Sequence, residues 1–108
     1  MINTVILMGR ITHHLEVKQT QNGKTVLQFS VAVDRYSKTA DKQTDFIPCV
    51  AWGSTAEFIG QYFGKGRMIA ITGCLRSRTY DDYNGSKHYV TEVFVNSADF
   101  TGESKAVR

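Results

Sequence analysis

Rings and cations placed side by side are the residues with most chemistry to offer. In TDFIPCVAWG (44–53), read as extended chain with alternating side chains, Ile47, Cys49 and Ala51 point one way and Phe46, Pro48, Val50 and Trp52 the other. Both faces are apolar, but a strand in a small domain sends only one into the core, so Phe46 and Trp52 are left as flat surfaces on which something can stack. A second segment, RSRTY (76–80), sets Arg76, Arg78 and Tyr80 on the face opposite Ile69, Ile71 and Leu75. Arg35, Tyr36 and Lys38 stand together where the polar stretch YSKTADKQT begins. Rings that stack on bases and cations that follow phosphates, interleaved along one groove, are what single-stranded nucleic acid requires. Taken singly each has a plainer reading: a lone Trp packs into a core, strand arginines stay solvated, and loop lysines such as Lys42, Lys65 and Lys87 keep a surface soluble.

Other chemistries find less support. Asp81 and Asp82, near Arg76 and Arg78, are a possible start for a metal-dependent nuclease. They precede Asn84-Gly85, however, where solvated turn residues are expected, and no nucleophile, base and orienting group can be assembled. His13, His14 and His88 show no ligand spacing, so neither a metal nor another cofactor is expected. Cys49 and Cys74 lie in apolar runs without CxxC spacing and read as buried thiols of a reducing, cytoplasmic compartment. The runs VILM and MIAI are far too short to cross a bilayer.

The elements that must hold these groups are strands punctuated by turns. The 108 residues, 42% hydrophobic, suffice for one domain with a modest core, and a net charge of +3 favours an anionic partner without demanding one. Strand signals cover 2–12, 24–35, 44–52, 67–80 and 88–100, the second alternating cleanly with Leu27, Phe29, Val31 and Val33 on one face. Asn22-Gly23 and Asn84-Gly85 mark hairpins, because both residue types tolerate positive φ. One helix is predicted from Ser54 to Tyr62 or Phe63, with Ser54 and Glu57 as a capping box and Gly64 and Gly66 ending it. Five strands with a helix between the third and fourth is the order of an all-β OB-fold, a five-stranded Greek-key barrel whose outer face binds oligonucleotides or oligosaccharides. Barrels of this kind also serve as protein-interaction subunits of assemblies, which is the alternative reading for exposed rings.

The segments MINTVILMGRIT, NGKTVLQFSVAVDR, TDFIPCVAWG with STAEFIGQYFGKG, and RSRTY with HYVTEV resemble the bacterial single-stranded DNA-binding proteins, in the same order from Met1 to about Phe100. That resemblance implies sequence-independent, non-catalytic binding and protection of single-stranded DNA in replication, recombination and repair. It puts the base-stacking rings at Tyr36, Phe46, Trp52 and Tyr80, and it brings Arg10 into the phosphate-contacting set beside Arg35, Lys38, Arg76, Arg78 and Lys87. It further implies a homotetramer with the first strand at subunit contacts. There Ile2, Ile6 and Met8 share one face and Val5, Leu7 and Ile11 the other, and a lone barrel can bury only one.

Three departures from the family pattern carry expectations. His14-Leu15-Glu16 replaces Asp-Pro-Glu after the first strand and alters that bend. Pro48 cannot donate a ladder hydrogen bond, so the third strand is expected to be an edge there or to bulge, and a bulge would turn Trp52 inward. The last residues, GESKAVR, lack the acidic tip that recruits replication and repair proteins in the family; a domain over 1–102 with a short disordered remnant at 103–108 is expected, as a short form or a truncated stretch.

Overall fold

The computed structural model describes residues 1–36, 38 and 41–103. Its elements in chain order are β1 (Val5–Ile11), β2 (Lys18–Gln19), β3 (Thr25–Asp34), β4 (Thr44–Trp52), α1 (Gly53–Tyr62), β5 (Met68–Asp81) and β6 (Lys87–Asp99). The five long strands and the helix stand where the alternation places them. The sixth strand, β2, is new, and its two polar residues offer no periodicity to read.

Pairing runs β1-β5-β6-β4-β3-β2 and returns through a β1–β3 contact, so the five long strands form a closed circuit in the OB-fold order. All pairs are antiparallel except β4–β6, which is parallel over only Cys49↔Val93 and Val50↔Phe94. The circuit encloses Ile11, Leu27, Phe29, Val31, Cys49, Ala51, Ile69, Ile71, Val93 and Val95, with Ala56, Ile59 and Phe63 of the helical segment closing one end. These are the inward phases of the strands and the apolar side of α1, and burying each large aliphatic side chain contributes roughly 1.5–3 kcal/mol.

Both Asn-Gly turns adopt one geometry. Gly23 N–H donates to Thr20 O (2.9 Å) and Thr20 N–H to Lys24 O (2.8 Å); Gly85 N–H donates to Asp82 O (3.1 Å) and Asp82 N–H to Ser86 O (3.0 Å). Only the glycines have positive φ, 81° and 78°, so these are type I turns closed by a left-handed glycine, not turns with both central residues at positive φ. Asp82 Oδ1 also accepts from Asn84 and Ser86 N–H, each at 2.9 Å, which puts the Asp in the turn's own framework.

The expected capping box does not form. Trp52 is the N-cap, without a side-chain cap bond, and the Glu57 carboxylate instead accepts from Thr25 Oγ1 on β3 at 3.3 Å. Pro48 causes no bulge either: β3–β4 register is unbroken from Val26↔Trp52 to Asp34↔Thr44. Ser30, opposite Pro48, gives its carbonyl to Thr12 N–H at 3.1 Å, so this pair is one whose backbone groups face away from each other. The missing N–H therefore faces the β6 side, where pairing begins only at Cys49.

Candidate nucleic-acid interface

With register unbroken, the outward side of β4 carries Phe46, Pro48, Val50 and Trp52. Phe46 is 66% exposed and Trp52 39%, at the two ends of the strand and about 20 Å apart from the rise of an extended chain. Trp52 is held by its position: last residue of β4, paired with Val26, and first flank of α1. Phe46 lies in a row with Ala32 and, through the β1–β3 pairing, Arg10. A second row crosses the face through Gln28, Val50, Phe94 and Cys74, and joins β4 to the strands bearing the arginines.

Beyond that row β5 and β6 leave their other neighbours. β1 pairs with β5 only as far as Val5↔Gly73, and from Arg76↔Glu92 to Asp81↔Lys87 the two strands pair only with each other, as a projecting ribbon. Asn3 ties down its base, its amide donating to Leu75 O (2.8 Å) and its carbonyl oxygen accepting from Leu75 N–H (2.9 Å). Arg76, Arg78 and Tyr80 occupy one ribbon face with their partners Glu92, Val90 and His88. Arg78 Nε donates to Glu92 Oε2 at 3.0 Å, and the Arg78 guanidinium stands 5.9 Å from the Tyr80 ring. Tyr80 stacks on His88, centroids 5.0 Å apart and planes 17° apart, and His88 Nε2 meets Asp82 Oδ2 at 2.7 Å. That contact, then the Ser86 N–H, holds the Asp82 carboxyl below its ordinary range. Arg76 lies over the Phe94 ring at 3.7 Å.

Not every expected residue joins this surface. Lys87 pairs with Asp81, so it lies on the other ribbon face from Tyr80. Tyr36, 91% exposed, and Lys38 lie past the end of β3. Arg35 is engaged by an acid: its guanidinium forks the Asp45 carboxylate at 2.9–3.2 Å and reaches Gln43 Oε1 at 2.8 Å. Hydrogen bonding and charge raise Arg35 and lower Asp45 from their ordinary values. Arg10 Nη1 donates to Glu103 Oε2 (2.7 Å) and Gly66 O (3.0 Å), while Met68 N–H donates to Glu103 Oε1 (3.1 Å). Glu103, just past the expected domain end, is thus bonded back to the barrel; the rest of that segment, 104–108, lies outside the described residues, as do 37, 39 and 40 of the polar loop.

Sequence reasoning missed Phe94, Glu92 and His88. HYVTEVFV carries apolar residues in both phases, Val90 and Phe94 against Val93 and Val95, the same two-faced signal that singled out TDFIPCVAWG. Among the described residues no group of three or more His, Cys, Asp or Glu is placed to hold a metal, and no helix is long and apolar enough to cross a membrane.

The profile of the single-strand binding protein family matches residues 2–101. The chain belongs to this family. Relatives include a single-stranded DNA-binding protein of Caldanaerobacter subterraneus, 40% identical over 93% of this chain and 68% of its own length. Another, of Fusobacterium nucleatum, is 45% identical over 96% and 69%, and single-stranded DNA-binding protein 1 of Streptococcus pyogenes is 42% identical over 90% and 76%. Among solved structures, a Plasmodium falciparum SSB in complex with ssDNA superposes with a TM-score of 0.79 at 25% identity, covering 92% of each chain. Membership in the family and this likeness establish the OB-fold.

Proposed function

We propose that the protein binds single-stranded DNA without reading its sequence and without catalysis. The observation that carries this reading is the outward placement of Phe46 and Trp52 on an unbroken β4, in one continuous face with Arg76, Arg78 and Tyr80. Bases stack on Tyr36, Phe46, Trp52 and Tyr80, each contributing ~1–3 kcal/mol, while phosphates meet Arg10, Arg35, Lys38, Arg76, Arg78 and, from the far ribbon face, Lys87. A strand so held stays single and shielded for cytoplasmic replication, recombination and repair, in the company of the enzymes that carry these out. The domain is 1–102, and the assembly is a homotetramer built on the outward side of β1, where Ile6 is 79% exposed and Met8 52%.

The chain has one tryptophan, so its emission reports Trp52 alone. Titrating oligo(dT) should quench that emission, high salt should restore it, and duplex DNA, whose bases are already stacked, should do much less. Trp52→Ala should weaken binding by ~1–3 kcal/mol with the far-UV spectrum intact. No response to oligo(dT) would leave the exposed rings to a protein partner instead.

A further inference from the structure

The arginines of the interface divide by what already holds them. Arg10 is paired with Glu103, Arg35 with Asp45 and Arg78 with Glu92. Arg76 has no ion pair among the described residues, although Glu92 is its cross-strand partner, because the Glu92 carboxylate faces Arg78. Its guanidinium lies instead over the phenyl ring of Phe94, with Cζ 3.7 Å from the centroid, close enough for van der Waals contact. Phe94 sits in the row with Val50 and Cys74, at the crossing from β4 to the ribbon and so between Trp52 and Tyr80. Val50, though outward, is buried, so this part of the face is filled rather than hollow.

At that distance the guanidinium can stack on the ring, and because Arg76 is exposed its other planar face is left to the solvent side; such planes take unstacked bases as aromatic rings do. We propose that Phe94 and Arg76 form a further base-stacking platform, with Phe94 positioning the guanidinium and a nucleobase lying on the face turned away from the ring. This rests on the reading of the outer face as the single-strand site. It changes the part played by Arg76: the planar cation holds a base, on the same outward face as Trp52 and Tyr80, and Phe94, which touches no base, sets its plane. Lysine carries the same charge without the plane, so charge and stacking can be separated.

The test measures binding of a short oligo(dT) and of an equally long oligomer carrying abasic residues, for the full chain, Arg76→Lys, Phe94→Leu and the double variant. The platform requires Arg76→Lys to lose about tenfold on oligo(dT), the scale of one stacked base. Phe94→Leu should lose a comparable factor, the double variant little more than either, and all four proteins should bind the abasic oligomer alike. Arg76→Lys binding oligo(dT) as tightly as the parent, or losing as much on the abasic oligomer, overturns the proposal, as do additive losses in the double variant. Arg76→Lys alters only an exposed side chain, so the test stands even if Phe94→Leu fails to fold. Failure of the parent chain to quench Trp52 with oligo(dT) would instead remove the single-strand reading itself.

Discussion

In the proposed single-strand site, Asp45 and Glu103 set how readily Arg35 and Arg10 reach a phosphate. A strand arriving at either arginine exchanges one anion for another, so its gain is smaller than a free cation would give. Asp45→Asn and Glu103→Gln are expected to tighten oligo(dT) binding at neutral pH, and each to steepen the fall of log affinity with log salt by ~0.7, one phosphate contact. An unchanged slope would put that arginine off the strand's path. The pH dependence has a defined sign. The Arg35 hydrogen bond holds Asp45 low, and the Met68 N–H, followed by Arg10, holds Glu103 low. Because both folded values are depressed, the stability these pairs supply is complete above the unfolded values and is lost as pH falls through the folded ones. Binding moves oppositely: the gap between parent and variants should close only on the acid side of the ordinary carboxylate range, as the acids neutralise and release their arginines. Cys49 marks the other extreme. Burial, with the charge of Glu92 second, pushes its thiol up to about 12, which keeps it unreactive in the folded state.

At the scale of elements, the crossing of β5 and β6 determines where the proposed stacking groups stand. Thr72 pairs with Ser97 and Gly73 with Val95, so β6 carries an extra residue, Asn96, at the point where the barrel gives way to the ribbon. Gly73 is required there because a Cβ would collide with the Phe94 carbonyl, a backbone group with nowhere to move. Gly73→Ala is therefore expected to cost ~1–3 kcal/mol by overpacking, seen as a lower urea midpoint, and to weaken oligo(dT) binding further by displacing Phe94. The long strands, the helix and both Asn-Gly turns were legible because period-two alternation and glycine punctuation are local signals. What escaped was non-local. Ser54 and Glu57 have capping-box spacing, but Glu57 is drawn to Thr25, 32 residues away, and Arg10 finds Glu103 across 93 residues. Pro48 argued for a bulge or an edge, and the pairing decides for the edge: its missing donor faces the side on which β6 joins only from Cys49, so the β3 ladder loses nothing. Phe46 and Trp52 could be picked out from alternation alone; the face that Phe94, Glu92 and His88 complete with them needed the β4–β6 contact, which no local pattern announces.

For the whole molecule, the outward side of β1 is the feature that a single barrel leaves unused. Ile6 and Met8 point away from the core that Val5, Leu7 and Ile11 help to build. Ile6→Glu is expected to convert the proposed tetramer to a smaller species by light scattering, with the far-UV spectrum of the barrel unchanged. A parent chain already monomeric at micromolar concentration would end the tetramer proposal.

The circuit of strands is joined at two narrow places, β1–β3 through Arg10↔Ala32 and Ile11↔Val31, and β4–β6 through Cys49↔Val93 and Val50↔Phe94. Between them they divide the chain into a β3–β4 half, which owns Phe46 and Trp52, and a β1–β5–β6 half, which owns Arg76, Arg78 and Tyr80. Considered as events in time, these joins, each only two residue pairs wide, are where brief openings begin. In the proposed binding mode a strand lying across both halves acts as a suture: openings that part the two halves of the face become rarer by the free energy of its binding.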